Sequence, residues 1–237
     1  MNQDRTDRHV VQLAGVSKMF KADGQSTSAV HNVTLEVHPG ELVVFLGPSG
    51  SGKTTLLTLI AGFLKPTEGR IVLFGKRIED YSPEELQCLR AQRIGFVFQT
   101  FHLIDALTVL ENVMLVLRFT GWSKADARRH AEELLSRFSI SELCAKYPTQ
   151  LSQGQKQRVA VARAIANDAE LILADEPTAS LESKQGLEVV TLLHTLAQEQ
   201  QRCVIVATHD VRVVEFADRV IRLEDGRIVE QTQTNGR

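Results

Sequence analysis

Residues 41–55 read ELVVFLGPSGSGKTT, and this stretch decides the fold of the chain. Its beginning is a continuous apolar run, as expected for a strand that is covered on both faces of a parallel sheet. GPSGSGKTT then matches the pattern G-x-x-x-x-G-K-[ST], and a helical pattern continues from Lys53 to Gly62. A buried strand, a glycine-rich turn and a helix in this order predict an α/β domain that binds a nucleotide.

The glycine-rich turn predicts a site for phosphate groups. Its glycines let successive backbone N–H groups face phosphate oxygens, and the N-terminus of the following helix adds a partial positive charge. Lys53 is placed to reach the β- and γ-phosphates, and the Thr54 hydroxyl is placed to bind Mg²⁺. The alternative is an ordinary glycine turn with an exposed lysine, and the flanking strand and helix argue against it. The predicted nucleotide-binding residues are Gly47, Pro48, Ser49, Gly50, Ser51, Gly52, Lys53, Thr54 and Thr55.

Polar side chains follow three further apolar runs that have the length of buried strands. Taken alone, paired acids before a proline often cap a turn, and a single histidine or glutamine is usually structural. Beside a phosphate-binding turn their position favours function, because ligands bind at the carboxyl ends of strands in open α/β sheets. The runs and the polar residues after them are residues 94–98 with Gln99, residues 171–174 with Asp175 and Glu176, and residues 203–207 with His209.

Each of these side chains has a chemistry that suits phosphoryl transfer. Asp175 can hold Mg²⁺ through water, and Glu176 can orient the attacking water or accept its proton. His209 is predicted to contact the γ-phosphate. Gln99 carries a neutral amide that can touch Mg²⁺ or the attacking water at the point where the next segment begins.

Residues 100–166 follow a mostly helical pattern that differs from the strands and helices on either side. We interpret them as a helical subdomain inserted into an α/β core. Within this segment, Ser123 and Asp126 are spaced as in a capping box, which predicts a helix over residues 124–138.

The motif LSQGQ at residues 151–155 precedes another helical pattern. Ser152 suits the N-cap position, which is enough to explain the serine, and Gly154 permits close approach of the backbone. By itself the motif is modest evidence for function, and its meaning comes from the other motifs.

The two ends of the chain predict antiparallel β-structure. Residues 33–37 alternate between apolar and polar side chains, and EDG at residues 224–226 separates two apolar runs as a hairpin turn does. The predicted fold class is α/β: a P-loop (RecA-like) core with a mostly parallel sheet, an antiparallel β subdomain at the N-terminus and the helical insertion. We treat residues 1–237 as one domain.

Composition excludes several other classes of protein. The chain of 237 residues has a net charge of −2, 43% hydrophobic and 24% charged residues, which is typical of a globular protein and offers no basic field for nucleic acid. No apolar run approaches the roughly 18 residues of a membrane span, and the polar N-terminus predicts no signal peptide. Cys88, Cys144 and Cys203 lack a paired spacing, so we expect reduced thiols and a cytoplasmic protein.

The motifs together resemble the ATP-binding-cassette (ABC) ATPases, over essentially residues 10–230. They occur in that family's order: GPSGSGKTT, Gln99, LSQGQ, LILADEP, residues 180–182 and His209. The resemblance implies that Phe20 stacks on adenine, where the family often has tyrosine. It further implies that residues 47–55 bind the phosphates of ATP, Gln99 is the Q-loop residue, Asp175 and Glu176 are the Walker B aspartate and the catalytic glutamate, and His209 is the switch histidine.

The same resemblance implies a dimer. In such ATPases the signature residues, here Ser152, Gly154 and Gln155, meet the nucleotide bound to a second copy of the protein. Two copies are expected to lie head to tail and to enclose two ATP molecules with Mg²⁺. A separate membrane permease would then carry out transport.

Two positions depart from the family pattern. The first glycine of the usual LSGGQ is Gln153 here, and a side chain should be tolerated provided that φ is negative. The aspartate of the usual SALD is Glu182, which keeps the charge and adds one methylene. Neither change removes a catalytic group, so we predict active ATP hydrolysis.

Several segments resemble particular groups within the family. RIGFVFQTFHL at residues 93–103 and LTVLENV at residues 107–113 are similar to lipoprotein-releasing and macrolide-export ATPases. ADEPTASLESK at residues 174–184 and EDGR at residues 224–227 are closer to DevA-type ATPases of glycolipid export. The resemblance implies export of a lipid, lipoprotein, glycolipid or drug-like molecule. It also implies a location on the inner face of the cell membrane, with a permease that has an extracytoplasmic domain and often a periplasmic adaptor.

Three other kinds of protein share some of these motifs. An ABC ATPase that drives a membrane regulator of cell-wall enzymes needs the same motifs, and sequence discriminates poorly between it and an exporter. A DNA-repair ABC ATPase would carry a much longer coiled-coil insertion, and the net charge argues against nucleic acid. A P-loop kinase leaves LSQGQ and His209 unexplained.

Overall fold

Ten strands in the described part of the chain form two sheets. The computed structural model describes residues 9–22 and 25–234. In chain order the strands are β1 (Val11–Ala22), β2 (Gln25–Val37), β3 (Leu42–Leu46), β4 (Glu68–Leu73), β5 (Lys76–Arg77), β6 (Ile94–Val97), β7 (Leu171–Asp175), β8 (Cys203–Thr208), β9 (Arg219–Glu224) and β10 (Arg227–Gln233).

The larger sheet is the platform for the glycine-rich turn. Its order is β10–β9–β3–β8–β7–β6, and all neighbours are parallel except β9 and β10. The smaller sheet, β2–β1–β4–β5, is antiparallel throughout. Both arrangements confirm the predicted fold class. Because the parallel strands share a direction, the segments that follow β3, β6, β7 and β8 emerge at one edge.

Six α-helices surround these sheets within the described residues, and short 3₁₀ turns lie between them. No helix of the described part is both long enough and apolar enough to span a membrane. The helices are α1 (Lys53–Ile60), α2 (Pro83–Arg93), α3 (Val109–Phe119), α4 (Lys124–Arg137), α5 (Gln153–Ile165) and α6 (Ser183–Gln198).

Strand β3 separates two hydrophobic cores, which explains its uninterrupted apolar sequence. Val43 and Phe45 face a core that α1 shares with the antiparallel sheet. Leu42, Val44 and Leu46 face a second core that contains apolar side chains of α3, α4, α5 and α6. Every side chain of β3 is therefore buried, and α1 lies between two sheets.

The predicted buried strands are confirmed to within one residue at each end. The hairpin is confirmed as well: Asp225 (φ 47°) and Gly226 (φ 75°) both lie in the left-handed region, as a two-residue type I′ turn requires. Helices α3, α4 and α5 lie between β6 and β7 in the chain, where the helical pattern was predicted.

The predicted capping box at Ser123 and Asp126 is only half formed. Ser123 does cap α4, because its Oγ accepts a hydrogen bond from the Asp126 backbone N–H at 3.1 Å. The Asp126 carboxylate, however, accepts from the Ser123 hydroxyl at 2.6 Å and does not reach back to the Ser123 backbone. Aspartate is one methylene shorter than the glutamate that closes such boxes, so the second bond was wrongly predicted.

We predict that Gly95→Ala destabilises the fold by about 1–3 kcal/mol, the range for overpacked sites. A Cβ at this position in β6 would lie 2.2 Å from the Ala164 carbonyl oxygen in the backbone of α5. Urea unfolding measures the change. Gly186→Ala in α6 is the matched control, since its nearest neighbour is 3.5 Å away and alanine favours helix. Equal stability of Gly95→Ala and the parent chain would contradict the described packing.

Candidate nucleotide site

One cavity brings together residues from five separate segments of the sequence. Its volume is about 280 Å³, and it lies at the edge where the parallel strands end. The cavity is lined by Ala29, Ser49, Gly50, Gly52, Lys53, Thr54, Thr55, Gln99, Glu176 and His209. The structure thus assembles most of the residues that the sequence predicts for phosphate binding and catalysis.

The glycine-rich turn ends at Gly52, which forms the N-cap of α1. Gly52 has φ 96°, and a Cβ there would lie 2.3 Å from the Ala29 carbonyl oxygen, so only glycine fits. In the part of the chain that the structure describes, no side chain caps the first turn of α1. Its backbone N–H groups are therefore available to phosphate oxygens at the positive end of the helix.

Lys53 is almost fully buried at the floor of this cavity. Its side-chain exposure is 6%, and its Nζ donates hydrogen bonds to the carbonyl oxygens of Gly47 (2.8 Å) and Pro48 (2.9 Å). Its Nζ also lies 3.8 Å from Oε1 of Glu176. The Lys53 side chain is thus held by carbonyl oxygens at the base of the turn, next to the carboxylate of Glu176.

Asp175 is the last residue of β7, and it meets the start of α1. Its carboxylate accepts a hydrogen bond from the Thr54 hydroxyl at 3.0 Å. Burial raises the pKa of Asp175, an effect that the Thr54 bond partly offsets. A cation that approached this buried carboxylate would stabilise its ionised form.

Three side chains hold the carboxylate of Glu176. Besides Lys53, the Thr208 hydroxyl donates to Oε2 at 3.2 Å, and Nδ1 of His209 lies 3.0 Å from Oε1. The imidazole of His209 thus faces the Glu176 carboxylate within hydrogen-bond distance. Glu176 itself has φ 48°, a left-handed conformation, and its N–H donates to the Ala207 carbonyl at 2.8 Å.

Thr208 is a site residue that sequence reasoning missed. It is fully buried at the end of β8, and besides its bond to Glu176 its Oγ accepts from the Asp210 N–H at 3.0 Å. In the sequence, the signal for Thr208 was its position: a hydroxyl side chain between a buried strand and His209. Its partner is 32 positions away in sequence, so the contact becomes visible only when β7 and β8 pair.

The signature residues lie in a different cavity. This second cavity, of about 330 Å³, lies between the start of α5 and α6, and we call it the signature cavity. It is lined by Ser139, Ile140, Glu142, Ser152, Gly154, Gln155, Arg158, Lys184, Gln185 and Glu188. None of these residues lines the first cavity. A single chain therefore separates Ser152, Gly154 and Gln155 from its own glycine-rich turn.

Ser152 is the N-cap of α5, as the sequence predicts, and Gln155 completes a capping box. The Gln155 N–H donates to Ser152 Oγ at 3.3 Å, and the Gln155 side chain accepts from the Ser152 N–H at 3.0 Å. Gln153 is exposed at the first helical position with negative φ, which is the condition under which its side chain is tolerated. The departure from LSGGQ thus leaves this backbone intact.

Phe20 lies near the end of β1, outside the first cavity. Its side chain is exposed, and Nζ of Lys18 lies 5.4 Å from its ring centroid. An exposed aromatic face is available to a flat ligand, but Phe20 does not line the cavity that holds Lys53. Adenine stacking on Phe20 remains a prediction.

Comparison with known proteins identifies the class that this fold and site define. The family model for ABC transporter proteins matches residues 30–179. The chain is 42% identical, over 96% of its length, to 98% of the ABC transporter ATP-binding protein MJ0796 of Methanocaldococcus jannaschii. It is 39% identical, over 93% of its length, to the macrolide export ATP-binding/permease protein MacB of Hahella chejuensis, of which it spans 34%.

Solved structures agree with this relationship. A dimeric post-hydrolysis structure of MJ0796 bound to ADP and Pi superposes with a TM-score of 0.89 at 42% identity, covering 95% of this chain and 99% of that one. CbiO1 from Clostridium perfringens, part of the ABC transporter complex CbiONQ, superposes with a TM-score of 0.85 at 30% identity, covering 96% and 89%. The chain belongs to the ABC transporter family, and it is an ATP-binding subunit with ATPase activity. A DevA-type specialisation stays a prediction.

We predict that Glu182→Asp stabilises the chain by about 1 kcal/mol, the usual value of an N-cap. Glu182 occupies the N-cap of α6, yet its side chain makes no capping hydrogen bond. Aspartate is short enough to accept from the first-turn N–H groups. Urea unfolding checks the difference, and Glu182→Ala, which removes no cap, should match the parent chain. A parent chain more stable than Glu182→Asp would contradict this account.

Proposed function

We propose that the chain is the ATP-hydrolysing subunit of an ABC exporter, and that two copies work as a head-to-tail dimer on a separate membrane permease. The observation that carries the dimer is the division of the site. The glycine-rich turn, Glu176 and His209 line one cavity, and Ser152 with Gly154 lines another. A second copy in the opposite orientation can present its signature residues to phosphates held by the first. The dimeric structures of MJ0796 support this arrangement.

The residues at the end of β7 suit Mg²⁺. Thr54 and Asp175 present oxygen atoms that already lie 3.0 Å apart, and Gln99 lines the same cavity with an amide oxygen. The described residues contain no group of three or more His, Cys, Asp or Glu side chains that could hold a metal. That sparse donor set fits Mg²⁺, which usually keeps several waters and binds through one or two protein ligands plus substrate phosphates. When bound with ATP, Mg²⁺ would offset charge on the β- and γ-phosphates.

The geometry of Glu176 suits activation of water. Its carboxylate accepts a proton from the attacking water, whose oxygen forms a bond to the γ-phosphorus. The bond from that phosphorus to the bridging oxygen breaks, and ADP leaves with this oxygen. The contacts from Thr208 and His209 fix the direction of the carboxylate. While Nδ1 of His209 contacts Glu176, Nε2 on the other side of the ring is proposed to contact the γ-phosphate. Lys53 and the backbone N–H groups before α1 stabilise the charge that develops on the phosphate oxygens.

A groove beside Gln99 is the proposed contact with the permease. It has a volume of about 250 Å³, lies between α2, β6 and α5, and includes Phe96, Phe98 and Arg163 in its lining. Arg163 donates to the Phe101 carbonyl at 2.7 Å, so the segment after Gln99 is tied to α5. We infer that residues 100–166 move as one subdomain against the core, and that this motion reshapes the groove at their boundary.

Near this groove, Phe101, Leu103 and Ile104 form a short apolar cluster that could meet the permease or belong to the local core. Leu103 packs against the core. Ile104 is 42% exposed, and its backbone is held by Asn112, whose Oδ1 accepts from the Ile104 N–H at 2.8 Å. Ile104 is therefore the residue of the cluster that remains available to a partner.

Export is the direction that the relatives support, because the similar MacB proteins are macrolide exporters. The chain spans about a third of those proteins, which carry their permease in the same polypeptide. The permease here is proposed as a separate protein with an extracytoplasmic domain, joined by a periplasmic adaptor. The protein would then lie on the cytoplasmic face of the cell membrane.

At the nucleotide site, Phe20 would stack on the adenine of bound ATP.

We predict that Glu176→Gln binds ATP and forms the dimer but does not turn over. The amide keeps the size of the side chain and cannot accept a proton from water. Phosphate release should fall at least about 100-fold, in line with the contribution of a general base, while light scattering with ATP and Mg²⁺ shows a dimer. Hydrolysis near the parental rate would refute the role of Glu176.

Tagged Glu176→Gln protein, trapped with ATP, also tests the permease. It would be used to capture partners from gently solubilised native membranes, followed by mass spectrometry. A permease with a large extracytoplasmic domain and an adaptor supports export. A permease captured only with regulators of cell-wall hydrolases would favour the mechanical alternative, and capture of no membrane protein would refute the permease contact.

In the same assay we predict that Ile104→Ser lowers permease capture roughly fivefold, the effect of losing an interface contact worth about 1 kcal/mol. ATP binding should not change, because the Ile104 backbone is held by Asn112. Val229→Ser, which replaces an apolar side chain of similar exposure on β10, is the matched control. Equal capture by both variants would remove Ile104 from the contact.

A further inference from the structure

Gly154, in the signature motif, is buried directly beneath a side chain of α6. A Cβ built on Gly154 would lie 2.7 Å from Oε1 and 2.9 Å from Cδ of Gln185. Gly154 is in the first turn of α5 with helical backbone, so its conformation does not require glycine. A methyl group here would instead have to displace the Gln185 amide, which is the end of a flexible side chain.

A second contact lies about one helical turn further along both helices. Arg158, four residues after Gly154, forms an ion pair with Glu188, three residues after Gln185. These two contacts join the N-terminal ends of α5 and α6. The signature backbone thus lies directly against α6.

The start of α6 also packs against the loop that follows Glu176. A Cβ on Gly186 would lie 3.5 Å from side-chain atoms of Thr178, and the Thr178 hydroxyl donates to the Asp210 carboxylate at 3.3 Å, next to His209. One end of α6 therefore touches the signature of the chain and the catalytic loop of the same chain.

We propose that Gln185 is a positioning residue: by packing on Gly154 it aligns the signature N–H groups with the γ-phosphate held by the second copy. This inference rests on the proposed dimer. Within the described residues, the Gln185 amide has no hydrogen bond to another residue, so it acts through shape. A larger residue at 154 would displace the Gln185 amide from the signature backbone, and a smaller residue at 185 would leave that backbone without this support.

A double-mutant cycle in the Glu176→Gln background tests this assignment, with ATP-dependent dimerisation as the readout. Gly154→Ala and Gln185→Ala should each weaken dimerisation, because each removes the Gln185 amide from the signature backbone. Because the new methyl group fits the space vacated by the glutamine, Gly154→Ala with Gln185→Ala should dimerise about tenfold more tightly than Gly154→Ala alone, a typical coupling for residues in contact. A double variant as weak as Gly154→Ala would overturn the inference.

Further measurements separate positioning from folding. Monomer thermal stability and binding of a fluorescent ATP analogue to the monomer should be unchanged in Gln185→Ala, since the monomer binds nucleotide at Lys53. Gln185→Met keeps the length of the side chain without its amide, and it should retain parental dimerisation. Dimerisation of Gln185→Met as weak as that of Gln185→Ala would also overturn the inference. Failure of the parent Glu176→Gln protein to dimerise with ATP would instead refute the proposed dimer.

Discussion

The burial of α1 between two sheets is the constraint on which the nucleotide site depends. Leu56, Leu57, Leu59 and Ile60 are fully buried, and side chains of this kind contribute about 1.5–3 kcal/mol each. Because apolar contacts fix α1 along its length, the N–H groups at its start keep their direction without help from a ligand. The helix can therefore receive phosphate groups without first being ordered.

Much of this arrangement could be predicted from local patterns, and the exceptions share a cause. Strands such as β3 and β7 are buried on both faces, so an uninterrupted apolar run marks them almost to the residue. The contacts of Thr208 with Glu176 and of Gln185 with Gly154 join segments about 30 positions apart, and no local period encodes them. The half-formed box at Ser123 failed on side-chain length, which spacing alone does not weigh.

The division of the site between two cavities explains why some motifs are stronger sequence evidence for function than others. The residues around Lys53 and Glu176 form contacts with one another inside one chain, so each motif supports the next. Ser152 and Gly154 contact mainly their own helix and α6, which is why LSQGQ resembles an ordinary N-cap when it is read alone. Their functional context is intermolecular under the proposed dimer.

The hydrogen bonds of Lys53 have a consequence for the exchange of nucleotide under the proposed function. The ammonium group already has two carbonyl partners, from Gly47 and Pro48, so a phosphate that approached it would replace bonds that exist. The net gain from such an exchange is much smaller than the strength of the new bond. When ADP departed, the same carbonyls would bind the lysine again, and no buried charge would be left unpaired. The turn would thus keep the empty site ready for the next nucleotide.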